Sequence, residues 1–126
     1  MNDRAKIFIV DDEEAIRDAL AMLLETAGYA VTSFRSAKDF LAEYSPGDCE
    51  CLILDVSMPE MDGVSAYKEI HQLFPEIGCI MMSGQYDVPT IRDGMGAGEQ
   101  EYLLKPFTVE ELAKAISRVS FKVEEH

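Results

Sequence analysis

Four short runs of apolar residues, each broken off abruptly by a charged or hydroxyl-bearing residue, constrain this chain more than any other feature. Lys6-Ile-Phe-Ile-Val10 ends on Asp11, Cys51-Leu-Ile-Leu54 on Asp55, Cys79-Ile-Met-Met82 on Ser83, and Tyr102-Leu-Leu104 on Lys105. The apolar residues are consecutive rather than alternating, a pattern that describes strands buried on both faces. Such strands belong to a parallel sheet covered by helices on each side. The segment 29–34 reads as one more strand, second in chain order.

Helical patterns separate the strands. Ala15, Ile16, Ala19, Leu20, Leu23 and Leu24 recur at helical spacing before Gly28, a helix stop. Ser36-Ala-Lys-Asp39 reads as a capping box opening a short helix that runs to about residue 44. A loop with Pro59 and Gly63 leads into a helix over 64–74, which Pro75 bars from continuing. A weak helix is expected over 88–95, and Thr108-Val-Glu-Glu111 caps a last helix carrying Leu112, Ile116 and Val119 on one face. The βα unit thus recurs five times, which makes the fold class α/β, a (βα)5 doubly wound parallel sheet.

The chain's 126 residues make one domain, 1–126, and 48% hydrophobic content allows a buried core. No stretch approaches the roughly 20 apolar residues that span a bilayer. The first apolar run is too short, and ends too acidic, for a secretory signal, so a cytoplasmic location without membrane contact is expected. A net charge of −13 repels phosphate backbones, which argues against direct nucleic-acid binding by this segment. Cys49, Cys51 and Cys79 are odd in number and lack CxxC spacing, so they read as small buried hydrophobes. If strands three and four align their cysteines, Cys51 and Cys79 lie side by side in the core. His71 has no partner at metal-ligand spacing.

Functional groups of such sheets gather at the carboxyl ends of the strands. Asp11, Asp12, Asp55, Ser83 and Lys105 therefore converge on one rim although the sequence spreads them widely. Taken singly, each has a plainer reading: Asp12 could cap the first helix, Lys105-Pro106 could be a turn, and Tyr102 could be core. Together, three carboxylates repel one another unless a cation intervenes, and an all-oxygen set suits Mg²⁺. A carboxylate can also attack phosphorus, and a metal, a lysine and a hydroxyl would neutralise the phosphoryl oxygens in flight.

The stretches Val10-Asp-Asp-Glu13, Leu54-Asp-Val-Ser-Met-Pro59, Met61-Asp-Gly63, Met82-Ser-Gly84 and Tyr102-Leu-Leu-Lys-Pro-Phe107, in this order and spacing, carry a resemblance. Over essentially its whole length the chain resembles the response-regulator receiver domain of two-component signal transduction. The resemblance implies a flavodoxin-like sheet with strand order 2-1-3-4-5. It implies that Asp55 accepts a phosphoryl group from a sensor histidine kinase or phosphotransfer protein. Asp12 and Asp55 would be side-chain ligands of Mg²⁺, Asp11 would act mainly through metal-bound water, and the Ser57 main-chain carbonyl would complete the protein ligands. Lys105 would pair with a phosphoryl oxygen, Ser83 would be the switch hydroxyl, and Tyr102 the aromatic that moves with it. The Lys105–Pro106 peptide would be cis. The face built from the helix over 88–95, the Tyr102 strand and the last helix would control a downstream output domain or target protein. A phosphorylation-dependent dimer is compatible with this. The chain would be a switch with self-phosphorylation and self-dephosphorylation, not a turnover enzyme.

Three other readings stay open. A degenerate receiver would act as a phosphorylation-independent interaction module. An aspartyl-nucleophile phosphatase would need a second acid two residues after Asp55, where Ser57 stands. A flavin mononucleotide binder would need a phosphate-cradling loop after the first strand, where Asp11, Asp12 and Glu13 would repel phosphate. The chain departs from the family pattern at Glu99, where a small residue is usual, and at Gly94 and Gly96, where helix formers are usual. These glycines should loosen the segment 88–98, where the largest switching response is expected. The segment 83–89 is similar to receivers that precede DNA-binding output domains.

Overall fold

The computed structural model of the chain describes residues 6–45, 51–55, 63–74, 77–84, 101–105 and 107–124. The elements run β1 (Lys6–Val10), α1 (Glu14–Thr26), β2 (Ala30–Phe34), α2 (Ala37–Glu43), β3 (Cys51–Asp55), α3 (Gly63–Leu73), β4 (Cys79–Gly84), β5 (Glu101–Lys105) and α4 (Val109–Glu124). The expected helix over 88–95, with Gly94, Gly96, Gly98 and Glu99, lies outside the described residues. So do Cys49, Ser57 and Pro106.

Every neighbouring strand pair is parallel, and the sheet order is β2-β1-β3-β4-β5. β3 lies at the centre, and all five of its residues are buried. This is why its apolar run does not alternate with polar residues. Odd and even positions feed two separate cores. Val10, Leu52, Leu54 and Met81 join Phe34, Phe40, Tyr67 and Ile70 on the face covered by α2 and α3. Ile7, Ile9, Ile53, Ile80 and Met82 join Leu20, Leu24, Leu112, Ile116 and Val119 on the face covered by α1 and α4. No helix among the described residues is long and apolar enough to cross a membrane.

The capping signals act largely as the residues suggest. Ser36 Oγ accepts from the Asp39 N–H at 3.1 Å and opens α2. Thr108 and Glu111 form the reciprocal box, with Glu111 N–H donating to Thr108 Oγ1 at 3.1 Å and Thr108 N–H donating to Glu111 Oε1 at 3.0 Å. The end of α1 is a Schellman turn: Tyr29 N–H donates to the Leu24 carbonyl and Gly28 N–H to the Glu25 carbonyl, both at 3.0 Å. Gly28 there has φ of +101°, and a Cβ built on it would meet nothing within 4 Å. Gly28→Ala should therefore act through the backbone alone and destabilise the fold by about 1 kcal/mol. A shift of the urea midpoint at constant slope would check this.

Two expectations are corrected. The apolar stripe of α1 is narrower than the periodicity implied: Ile16, Leu20 and Leu24 face the sheet, while Ala15, Ala19 and Leu23 are exposed. A 13-residue helix laid on a sheet has only one line of closest approach. The cysteines are not side by side. The register pairs Cys79 with Leu52, one residue out from the alignment that would place it beside Cys51. A one-residue slip changes the face to which a side chain points. Cys51 accordingly packs toward α1 and α4, and Cys79 toward α2 and α3, both buried and carrying reduced thiols.

Candidate functional site

β1 stops where its apolar residues stop, β3, β4 and β5 run one or two residues past theirs, and the polar residues at these ends line the carboxyl-terminal rim. Asp55 is the last residue of β3, Ser83 lies one residue before the end of β4, and Lys105 is the last residue of β5. Asp11 follows β1 directly, and its N–H donates to the Phe34 carbonyl at 3.1 Å, extending the β1–β2 ladder by one bond. Asp11, Asp55 and Ser83 are the only buried polar or charged residues among the described ones, and all three are on this rim.

The acids differ in setting. Asp11 is fully buried and its Oδ1 accepts from the Glu13 N–H at 2.9 Å. Asp12 is exposed. It does not cap α1; the N-cap position belongs to Glu13, which makes no side-chain capping bond. Asp11, Asp12 and Asp55 each offer an oxygen within 4.8 Å of the others, close enough to share one cation. Lys105 reaches in from β5: its Nζ donates to Asp55 Oδ2 at 3.1 Å and lies 3.6 Å from Asp11 Oδ2.

Burial pushes the Asp11 carboxyl up from its ordinary 3.8 to about 6. Repulsion from Asp55 and Asp12 adds to this, and the Glu13 N–H and Lys105 work against it. For Lys105, burial alone would lower the pKa, but the Asp55 and Asp11 carboxylates outweigh it and hold the ammonium above its usual range. Asp11 Oδ2 and Ser83 Oγ are buried and make no hydrogen bond among the described residues. A buried carboxylate oxygen without a donor is costly, and a hard cation beside it would remove that cost.

Of the residues singled out in the sequence, Asp11, Asp12, Asp55 and Lys105 come together. Ser83 stands on the same rim, paired in register with Leu104 of β5. Tyr102 is on β5, paired with Met81. Arg17 had no signal in the sequence as a site residue, yet its Nη1 donates to the Asp11 carbonyl at 2.7 Å.

This rim can be set beside known proteins. Residues 7–117 match the model of the response regulator receiver domain. The chain belongs to the response-regulator receiver family. The receiver is 41% identical over 117 residues to the response regulator protein TodT of Pseudomonas putida, an alignment covering 92% of this chain and 52% of TodT. It is similar to the crystal structure of a response regulator receiver domain protein from Clostridium thermocellum, with TM-score 0.83, 29% identity, and coverage of 95% of this chain and 97% of that one. Full-length FixJ from B. japonicum matches with TM-score 0.82 and 33% identity over 95% of this chain and 59% of that one. The receiver spans about half the length of the curated relatives it matches. The strand order and the family agree with the expectations from the motifs, and the receiver is a signalling module homologous to response regulators.

Proposed function

We propose that residues 1–126 form one receiver domain that takes a phosphoryl group onto Asp55 and relays the change to an output partner. The observation that carries this reading is the Lys105 ammonium 3.1 Å from Asp55 Oδ2, inside a cluster of three carboxylates on one rim. A degenerate interaction module needs no such convergence.

Asp55 would be the nucleophile. An Asp55 oxygen forms the new O–P bond as the N–P bond of a phosphohistidine donor breaks, and the bonding electron pair returns to the donor's ring nitrogen. Lys105, already protonated and aimed at Asp55, would meet a phosphoryl oxygen as negative charge gathers there. Ser83 Oγ, buried and without a hydrogen-bond partner among the described residues, has a donor to offer the same oxygens. Asp11, Asp12 and Asp55 fit Mg²⁺ in donor chemistry and spacing, and the family resemblance would add the main-chain carbonyl of Ser57, which lies outside the described residues. Bound Mg²⁺ would neutralise the carboxylates and a phosphoryl oxygen together.

The donor would be a sensor histidine kinase or phosphotransfer protein. The response would reach an output domain or target through β5, α4 and the segment 88–98, with phosphorylation-dependent dimerisation as one form of output. Self-phosphorylation and self-dephosphorylation would be the only chemistry. Incubation with acetyl phosphate tests this: one phosphoryl group should appear by mass spectrometry with Mg²⁺ and none with EDTA. Equal labelling in both would remove the metal from the mechanism, and none in either would remove the acceptor role.

A further inference from the structure

Arg17 is placed to make ion pairs on its own helix. Glu13 lies four residues before it and Glu14 three, both favourable spacings. Among the described residues it makes neither pair; its side chain is engaged by the main chain instead. Its backbone N–H closes the first turn of α1 on the Glu13 carbonyl at 3.0 Å. Its side chain runs back toward the helix N-terminus, the direction that helix geometry favours, and Nη1 donates to the Asp11 main-chain carbonyl at 2.7 Å. That is short for an N–H···O bond, as expected of a charged donor.

The acceptor belongs to the peptide that joins Asp11 to Asp12. A peptide is a rigid plane, so a guanidinium fixed on its oxygen sets the orientation in which both acids leave the main chain. The other contacts of Asp11 hold different atoms. Its N–H is on the Phe34 carbonyl and its Oδ1 on the Glu13 N–H. Of these contacts, only Arg17 holds the carbonyl side of Asp11, between the buried acid and the exposed one. Resting on the reading that Asp11 and Asp12 hold Mg²⁺, we propose that Arg17 is a positioning residue for that metal, acting through the Asp11–Asp12 peptide.

The proposal has a sign that distinguishes it from a charge effect. A cation this close to the acids repels Mg²⁺, so loss of its charge alone would tighten metal binding. Loss of its grip on the peptide should weaken binding instead. Supporting groups around metal ligands typically change affinity by roughly tenfold or more. Arg17→Met keeps the apolar stem and removes the donor. Its Mg²⁺ dissociation constant, measured by calorimetry on the unphosphorylated protein, should rise about tenfold. The Mg²⁺ concentration for half-maximal phosphoryl uptake should rise by the same factor, with the rate at saturating Mg²⁺ close to that of the wild type. Arg17→Lys, which keeps a charged donor, should recover part of the loss. The urea midpoint in EDTA reports a merely structural role. A dissociation constant within twofold of wild type, or tighter, would overturn the proposal whatever the urea midpoint does. Should Arg17→Met not fold, Arg17→Gln, neutral and too short to reach the carbonyl, reads out the same way. If the wild type binds no Mg²⁺, it is the proposed function that fails, independently of Arg17.

Discussion

Asp55→Asn should leave the receiver folded and unable to take up a phosphoryl group. The amide has the shape of the carboxylate, so the last residue of β3 stays in place, and the change removes one of three clustered negative charges. The amide is not a nucleophile toward phosphorus, so uptake from acetyl phosphate should drop by at least roughly a thousandfold, as when a catalytic nucleophile is deleted. Lys105 keeps a partner in Asp11 at 3.6 Å, so the ammonium is not left buried alone. Circular dichroism should match the wild type while the labelled fraction falls to background. Undiminished labelling with the same hydroxylamine sensitivity would move the acceptor to another residue.

Asp11→Asn should separate the stability of the fold from metal binding. The folded carboxyl titrates at about 6 against an ordinary 3.8, chiefly because it is buried. A carboxyl raised in this way favours the folded state at low pH, where it is protonated. That contribution is complete below about pH 4 and is lost as pH rises through 6. Near pH 8 without metal, the ionised Asp11 disfavours the fold by about 1–3 kcal/mol. The Asn side chain carries no charge to bury. In EDTA at pH 8, Asp11→Asn should melt several degrees above the wild type, and the gap should shrink toward pH 4. With millimolar Mg²⁺ the order should narrow or reverse, because the wild type gains from binding and the variant has lost an acid of the site. If the variant melts below the wild type in EDTA at pH 8, Asp11 is not under the repulsion and burial described.

The sequence by itself determined the described elements and which of their ends carry the site residues. Runs such as Cys51-Leu-Ile-Leu54, bounded by polar residues, code for buried strands locally, and the acid or lysine that ends a run necessarily lies at a strand's carboxyl end. The receiver motifs carried the strand order, which no local rule predicts. Capping signals are equally local, because Thr108 and Glu111 meet within one helical turn. Tertiary structure decided what depends on how separate elements meet. The β3–β4 register put Cys51 and Cys79 on opposite faces, and packing across strands, not the composition of either, sets that register. Asp11 and Asp12 are adjacent in the chain, yet one is buried beside Lys105 and the other exposed, because the chain turns from strand to helix between them. Arg17 had two glutamates within helical reach, and the fold gave it a main-chain carbonyl, which no side-chain pattern records.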